Sequence, residues 1–184
     1  MRWDRLFADL EGQLAAAAAA DLAAEVSDRS RREAAMLRLV DRLRAAAGAR
    51  IIVRVHGVGA VEGTLTEVGV EWLLLLEAPG REVLVPTGAV LSATGLGRAS
   101  AAPGTAGRVF ERLGLGSALR GIARDRSPVT LWLTDGSTVT GLVDRVGADF
   151  VELSGSELEQ RRLDELLPVR AVPFRALAAL RRQV

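Results

Sequence analysis

The side chains that most often carry enzymatic chemistry are scarce in this sequence of 184 residues. It has a single histidine, His56, and neither cysteine nor tyrosine. Covalent catalysis needs a nucleophile, a base and a group that orients the base, and the residues around His56 do not supply such a set. We therefore predict that the chain is not an enzyme and has no catalytic residue. His56 is interpreted as a partly exposed side chain at the end of a strand.

Two further patterns could bind a phosphate or a metal ion, but neither has the spacing that the chemistry requires. The glycine-rich stretch 57–63 has the look of a phosphate loop, yet no helix follows it and the chain contains no lysine for a P-loop. Asp144, Asp149 and Glu152 lie close in sequence without the spacing of a calcium-binding loop. The sequence thus predicts no metal site and no cofactor.

Charge is unevenly distributed along a chain whose net charge is +1. All 24 strongly basic side chains are arginine, a bias that we attribute to GC-rich coding. Segments 98–126 and 161–182 are basic and bracket an acidic stretch, 127–160. They could bind a polyanion or pair with that acidic stretch, and we favour the second interpretation. The candidate polyanion-binding residues are Arg108, Arg112, Arg120, Arg124, Arg126, Arg175, Arg181 and Arg182.

The elements that must position these residues repeat at an offset of 78 residues. Residues 51–75 align without a gap on residues 129–153, so that Gly63 falls on Gly141. Both copies alternate apolar and polar residues, which predicts half-buried strands. A glycine inside a strand often marks a bulge or the sharp bend that a small barrel needs.

The ends of the two copies are matched less directly. Leu84-Val85-Pro86 is aligned with Leu166-Leu167-Pro168, which makes the second loop four residues longer than the first. Pro173 is expected to begin a short C-terminal helix that buries Leu177 and Leu180.

The first 49 residues are predicted to be helical because apolar side chains recur at spacings of three and four. Leu6, Leu10 and Leu14 begin this stripe, and residues 13–47 contain neither glycine nor proline. A continuous helix would be about 60 Å long, too long to bury its stripe against one small barrel. It must fold back as a hairpin or meet another chain, and we favour a homodimer held by a coiled coil.

Both copies, over roughly residues 36–95 and 115–175, resemble the Sm-like and related SH3-like small β-barrels, including the C-terminal domain of ribosome maturation factors. The residues that carry this likeness are Leu131, Leu133, Asp135, Gly136, Val139, Gly141, Val143 and Val146. The resemblance implies a five-stranded barrel preceded by a helix. RNA-binding members place an aspartate and an asparagine after the bent strand, where this chain has Gly69 and Leu73, or Gly147 and Val151. We therefore expect no RNA binding by that family's usual route.

The whole chain is also similar to a family of bacterial proteins often labelled Fis-type transcriptional regulators. That label implies a helix-turn-helix. No segment reads as two helices joined by a short glycine turn with a basic second helix, so we do not predict this motif.

The expected fold class is α+β: a long N-terminal helix or helical hairpin, followed by two tandem Sm/SH3-like five-stranded β-barrels, each preceded by a helix. The expected domains are a helical region (1–49), a first barrel (50–95), a linker with a basic helix (96–126) and a second barrel with a C-terminal helix (127–184).

The functional prediction is based on apolar residues that are expected to face outward from the sheet. In the strand EWLLLLE, Leu73 and Leu75 should face the core, whereas Leu74 and Leu76 face outward and must be covered by this chain or by a partner. The leading hypothesis is a dimeric scaffold or adaptor that acts through protein–protein interaction. The candidate interface residues are Leu6, Leu10, Leu14, Trp72, Leu74, Leu76 and Trp132.

The alternative is a nucleic-acid or ribosome-associated protein that uses the arginine-rich segments 98–126 and 161–182. No apolar run approaches the roughly 20 residues that cross a bilayer, so no membrane contact is predicted. Together with the lack of cysteine, this favours a cytoplasmic location.

Overall fold

The computed structural model describes residues 2–101, 113–155 and 169–182. The chain divides into two compact units, Met1–Arg38 and Leu39–Val184. Among the described residues, the first unit is one helix, and the second holds two short helices and ten β-strands.

Helix α1 spans Arg2–Met36 without a break. The alanine run 15–20 has high helix propensity, and ion pairs one turn apart, such as Arg29 Nε to Glu33 Oε1 at 3.0 Å, add to it. Ser27 lies inside the helix instead of capping a second one. Residues 2–36 therefore form one helix without a hairpin inside it, whereas the expected helical region 1–49 is interrupted at residues 37–38, before a second helix begins at Leu39.

The coiled coil expected for α1 is not supported by the spacing of its exposed apolar residues. Phe7, Leu10, Leu14, Leu22 and Val26 are all exposed; the first step is three residues, and from Leu10 onward the steps are multiples of four. Four residues turn the helix by about 400°, so each step of four moves the stripe about 40° around the axis. A left-handed coiled coil needs alternating steps of three and four, which keep the stripe on one side. The α1 stripe spirals instead.

The second unit begins with helix α2 and contains helix α3 between two groups of strands. The helices are α2 (Leu39–Ala45) and α3 (Leu115–Arg124). The strands are β1 (Arg50–Val55), β2 (Gly59–Val68), β3 (Trp72–Glu77), β4 (Arg81–Pro86), β5 (Val90–Thr94), β6 (Val129–Leu133), β7 (Thr138–Val146), β8 (Phe150–Ser154), β9 (Arg170–Pro173) and β10 (Leu177–Arg182).

All ten strands form one antiparallel sheet in the order β5-β1-β2-β3-β4-β10-β6-β7-β8-β9. The expectation of two separate five-stranded barrels is therefore wrong. Strand β4 pairs with β10, with Leu84 opposite Leu180 and Val83 opposite Arg181. We call this pairing the seam. Alternation of apolar residues predicts strands but not which strands are neighbours, so no pattern in the chain indicated the seam.

The sheet is strongly curved. In the sheet order β1 and β6 are separated by four strands, which in a flat sheet would place them roughly 24 Å apart at about 4.8 Å per strand. Nevertheless, His56 Nδ1, just after β1, lies 2.7 Å from the carbonyl oxygen of Thr134, just after β6. Right-handed twist and the β-bulges described below bring these two turns together.

The two hydrophobic clusters of this unit each take residues from both sides of the seam. The first is built mainly on β1–β4 and includes Ala178 and Ala179 from β10. The second is built mainly on β6–β9 and α3, and it includes Trp72 and Leu84 from β3 and β4. Neither half would keep a complete core if the seam opened.

The C-terminal segment is a strand, so the helix expected after Pro173 is wrong. A three-residue 3₁₀ turn, Phe174–Ala176, leads directly into β10. Four successive residues of β10, Leu177 to Leu180, are buried. A strand that is buried on both faces reads as a continuous apolar run, and Leu177 and Leu180 fit a helical stripe equally well.

The first strands of the two halves pair in the same register at the 78-residue offset. Val53 faces Val61 in the first half and Leu131 faces Val139 in the second. Bulges also fall at equivalent places, between positions 65 and 67 and between positions 143 and 145.

Beyond β8 the offset is 87 residues, so the predicted match of Pro86 with Pro168 is wrong. Pro86 corresponds to Pro173: the next N–H, of Thr87, donates to Glu71 O at 2.9 Å, and that of Phe174 donates to Asp149 O at 2.7 Å. The shared sequence Val-Pro-x-x-Ala could have located the true match. Residues 166–168 lie outside the described ranges.

The glycines inside β2 and β7 are required by a close approach of the neighbouring strand. A Cβ placed on Gly63 would lie 2.7 Å from the carbonyl oxygen of Leu76. At Gly141 the clash with the carbonyl oxygen of Ser154 would be closer still. Both neighbours are backbone atoms within a paired strand and cannot move without breaking hydrogen bonds.

We expect Gly141→Ala to lower the free energy of unfolding by about 2–3 kcal/mol, because overpacking against a fixed backbone has a cost of that order. Urea denaturation monitored by circular dichroism measures it. Gly88→Ala is the control, since a Cβ there meets no atom within 4 Å. A Gly141→Ala protein as stable as the control would contradict this account.

Candidate functional site: an apolar groove beside helix α3

Helix α3 is held against the second hydrophobic cluster by one apolar face. Leu115 and Leu119 are one turn apart and buried, and α3 packs on β7. The helix begins at Leu115 with Gly114 as its N-cap. Its next face, with Ala118 and Ile122, is only partly buried.

A groove of about 400 Å³ lies between this second face of α3 and the sheet. The sheet side of the groove is formed by Trp72, Leu74, Leu84 and Leu180, and the helix side by Ala118, Gly121 and Ile122. Leu113 and Ser117 complete the uncharged lining at the start of the helix, and the charged lining residues are Glu67, Glu82, Asp125 and Arg182. We call it the α3 groove.

Trp72 connects the floor of the groove to the segment before α3. Its indole Nε1–H donates a hydrogen bond to the carbonyl oxygen of Leu113 at 2.9 Å, and the backbone N–H of Val70 donates to the same oxygen at 3.2 Å. Trp72 is buried, with only 3% of its surface exposed. A buried tryptophan needs such an acceptor for its N–H. This bond therefore fixes both the Trp72 ring and the position of Leu113 in the segment before α3.

Arg182 bridges two of the acidic groups at the groove. Its guanidinium lies 3.0 Å from Asp125 Oδ2, after α3, and 3.5 Å from Glu82 Oε2, on β4. Glu67, on β2, is the third carboxylate in the lining. Three acids against one arginine leave the groove with a formal charge of −2.

Arg181, the neighbour of Arg182, holds the seam. Its guanidinium donates to Glu77 Oε2 at 2.8 Å and lies 4.9 Å from the centre of the Trp132 ring. Both partners of the ion pair are mostly buried. The arginine thus joins β10, β3 and β6 by an ion pair and a cation–π contact.

The predicted interface residues do not form one surface. Trp72 and Leu74 line the α3 groove, Trp132 packs at the seam, and Leu76 is 39% exposed outside the groove. Leu73 and Leu75 are fully buried, which confirms the predicted alternation of this strand. On α1, Leu10 and Leu14 are exposed, whereas the side chain of Leu6 lies outside the described residues.

The predicted polyanion-binding residues also separate into groups. Arg181 and Arg182 pair with carboxylates, but their partners Glu77, Glu82 and Asp125 all lie outside the acidic stretch 127–160 with which pairing was expected. Arg108 and Arg112 lie outside the described residues. The exposed members of the set are Arg120, Arg124, Arg126 and Arg175.

His56 occupies a structural position between the two halves. Its Nδ1–H donates to the carbonyl oxygen of Thr134, because that oxygen can only accept. The next residue, Gly57, packs so closely on the β6–β7 turn that a Cβ would lie 2.5 Å from the carbonyl oxygen of Leu133. That turn is fixed by Asp135, whose pKa is lowered by hydrogen bonds from the hydroxyl and N–H of Ser137.

Across the described ranges, no group of three or more histidine, aspartate or glutamate side chains could hold a metal ion. Within those ranges, no helix has both the length and the apolar character needed to cross a bilayer.

Sequence reasoning missed most of the α3 groove. It treated α3 as a carrier of arginines, although Ala118 and Ile122 are spaced one turn apart beside the buried pair Leu115 and Leu119. That double stripe could have indicated a helix with two apolar faces. The contribution of Leu84 and Leu180 could not have been found, because it depends on the seam.

A scan against protein-family models finds none that matches this chain, and a search of curated proteins finds no match either.

We expect a coupling energy of about 1–2 kcal/mol between Arg181 and Glu77 in a double-mutant cycle with Arg181→Met and Glu77→Gln. The pair is mostly buried and charge-assisted. The matched control is the exposed cross-strand pair Arg50–Glu62 at 2.9 Å, for which about 0.5 kcal/mol is expected. Equal coupling for the two pairs, measured by urea denaturation, would contradict the role given to Arg181.

Proposed function

We propose that this protein is a non-enzymatic, cytoplasmic adaptor that binds a segment of another protein in the α3 groove. The observation that carries the proposal is the partly open apolar lining, in which the half-buried side chains of Leu74, Ala118 and Ile122 converge above the buried Trp72 and Leu84. Grooves between a helix and a sheet accept apolar side chains of partner segments. An opening of about 400 Å³ is large enough for one or two such side chains.

The charge of the groove supports a protein partner over a nucleic acid. Glu67, Glu82 and Asp125 outweigh Arg182 there, and a phosphate backbone is repelled by such an excess. The nucleic-acid alternative would have to use the exposed arginines of α3 and its C-terminal end, Arg120, Arg124 and Arg126. Arg181 and Arg182, two other candidate residues for binding nucleic acid, already form ion pairs with carboxylates.

The absence of catalysis is supported by the position of His56. Its Nδ1–H holds the turn after β6 through the carbonyl oxygen of Thr134, which is a structural contact between the two halves. The chain has no cysteine and no tyrosine to act in its place.

We also propose that the adaptor self-associates through α1. Leu14 is 71% exposed and Leu22 62% exposed, and a helix with such a stripe gains stability by burying it. Residues spaced by four form ridges that pack against the same ridges of a second helix at a crossing angle of about 50°. A local crossing of two α1 helices fits the spiral stripe, whereas a long coiled coil does not.

Filling the α3 groove should abolish partner binding. A Cβ on Gly121 would meet no atom within 4 Å, so Gly121→Phe can place a ring at the groove without displacing the fold. We expect the protein partners captured by the full chain to fall at least tenfold with this variant, as measured by quantitative mass spectrometry.

The matched control is Gly121→Ala, which leaves the groove open. It should capture the same partners as the natural protein. Its free energy of unfolding should be about 0.5–1 kcal/mol higher, because alanine replaces glycine inside a helix. Capture that is unchanged by Gly121→Phe would overturn the proposed site. Bound nucleic acid that dissociates steeply with added salt would favour the alternative function.

Removal of residues 1–38 should convert a dimer into a monomer. The remaining unit, Leu39–Val184, is compact by itself and is expected to stay folded. Light scattering gives the mass of each species, and circular dichroism checks the fold of the shortened chain. The same number of chains per particle before and after truncation would rule out self-association through α1.

A further inference from the structure

The two halves of the sheet differ at one cross-strand position that borders the α3 groove. In the second half, Arg145 on β7 faces Glu152 on β8, and the two form an ion pair at 3.4 Å. At the equivalent position of the first half, Glu67 on β2 faces Leu74 on β3. At this pair of positions the first half therefore has Glu67 and Leu74, whereas the second half has Arg145 and Glu152.

Glu67 has no internal counter-charge. Within the described part of the chain it makes neither an ion pair nor a hydrogen bond, although it is partly buried and lines the groove. The bulge between Leu65 and Glu67 turns the strand at this point, as bulges do where a side chain has to be re-aimed. The carboxylate is thus placed beside the apolar floor that Trp72 and Leu74 provide.

The other acids at the groove differ from Glu67 because they share Arg182. One guanidinium lies between Asp125 and Glu82, at 3.0 and 3.5 Å. Of the three carboxylates that line the groove, Glu67 is consequently the one without an ion-pair partner among the described residues. An unpaired carboxylate beside apolar side chains attracts a cation more strongly than one in bulk water, since the surroundings are less polarisable.

From this arrangement we infer that the partner segment places an arginine or lysine against Glu67, within about one helical turn of an apolar side chain seated on Leu74, above the buried ring of Trp72. This inference rests on the proposed function, since it names the chemistry of the partner at the same groove. In the complex, the partner's cation pairs with Glu67, as Arg145 pairs with Glu152 within the second half.

A peptide selection tests the inference with defined probes. A displayed library of random 16-residue peptides is selected on the full-length protein, and binders that also recognise the Gly121→Phe variant are removed. We expect the remaining, groove-dependent peptides to pair a leucine, isoleucine, phenylalanine or methionine with arginine or lysine three or four residues away. Synthetic peptides of the selected sequences are then titrated by isothermal calorimetry.

Glu67→Gln should weaken these peptides about five- to tenfold, the loss expected for one partly buried charge pair, and should make their affinity much less sensitive to salt. Glu67→Asp should retain most of the affinity, and Asp144→Asn, an exposed acid outside the groove, should have no effect. Circular dichroism confirms that each variant is folded.

The possible failures are distinct. Groove-dependent peptides that lack a basic residue, or that bind Glu67→Gln as tightly as the natural protein, would overturn the inference and leave the proposed function standing. A selection in which every binder also recognises Gly121→Phe, or which yields no binder, would count against the groove itself and so against both.

Discussion

The pairing of β4 with β10 is the constraint on which the rest of this structure depends. It joins two groups of five strands into one sheet, and both hydrophobic clusters then draw residues from across it: Ala178 and Ala179 on one side, Trp72 and Leu84 on the other. Because the last strand supplies this joint, the second unit can close its core only when its C-terminal residues are in place. Arg181 reinforces the joint through Glu77 and Trp132.

The seam also explains why the groove exists. Leu84 and Leu180 face each other across it and form part of the groove floor, while α3 is held above them by Leu115 and Leu119. At the 87-residue offset, the outer edge strand β5 has Thr94 where β10 has Arg181. The ion pair that fastens the seam therefore has no equivalent on that edge, and the two halves are joined by a contact that occurs once within the described sheet.

Much of the local structure could be predicted from the sequence, because it is set by short-range chemistry. The alternation in β3 correctly separated Leu73 and Leu75 from their neighbours, and Gly63 and Gly141 marked real bends where a side chain would strike a carbonyl oxygen. The errors arose where local chemistry is ambiguous. The apolar run of β10 fits a helix as well as a doubly buried strand, and a repeated strand pattern fits one continuous sheet as well as two barrels.

By itself, the sequence determined most of the strands, the glycines inside β2 and β7 and the helical character of the N-terminal residues, since propensity, alternation and steric exclusion act within a few residues. It also contained the difference between the halves at Glu67 and Arg145, though not its meaning. Only the tertiary structure decided that the halves share a sheet, that Arg181 and Arg182 are bound to carboxylates, and that Glu67 lies unpaired at an apolar groove. The reason is physical: the partner of a strand edge or of a charge is chosen by complementarity between segments far apart in the chain, and no local pattern encodes that choice.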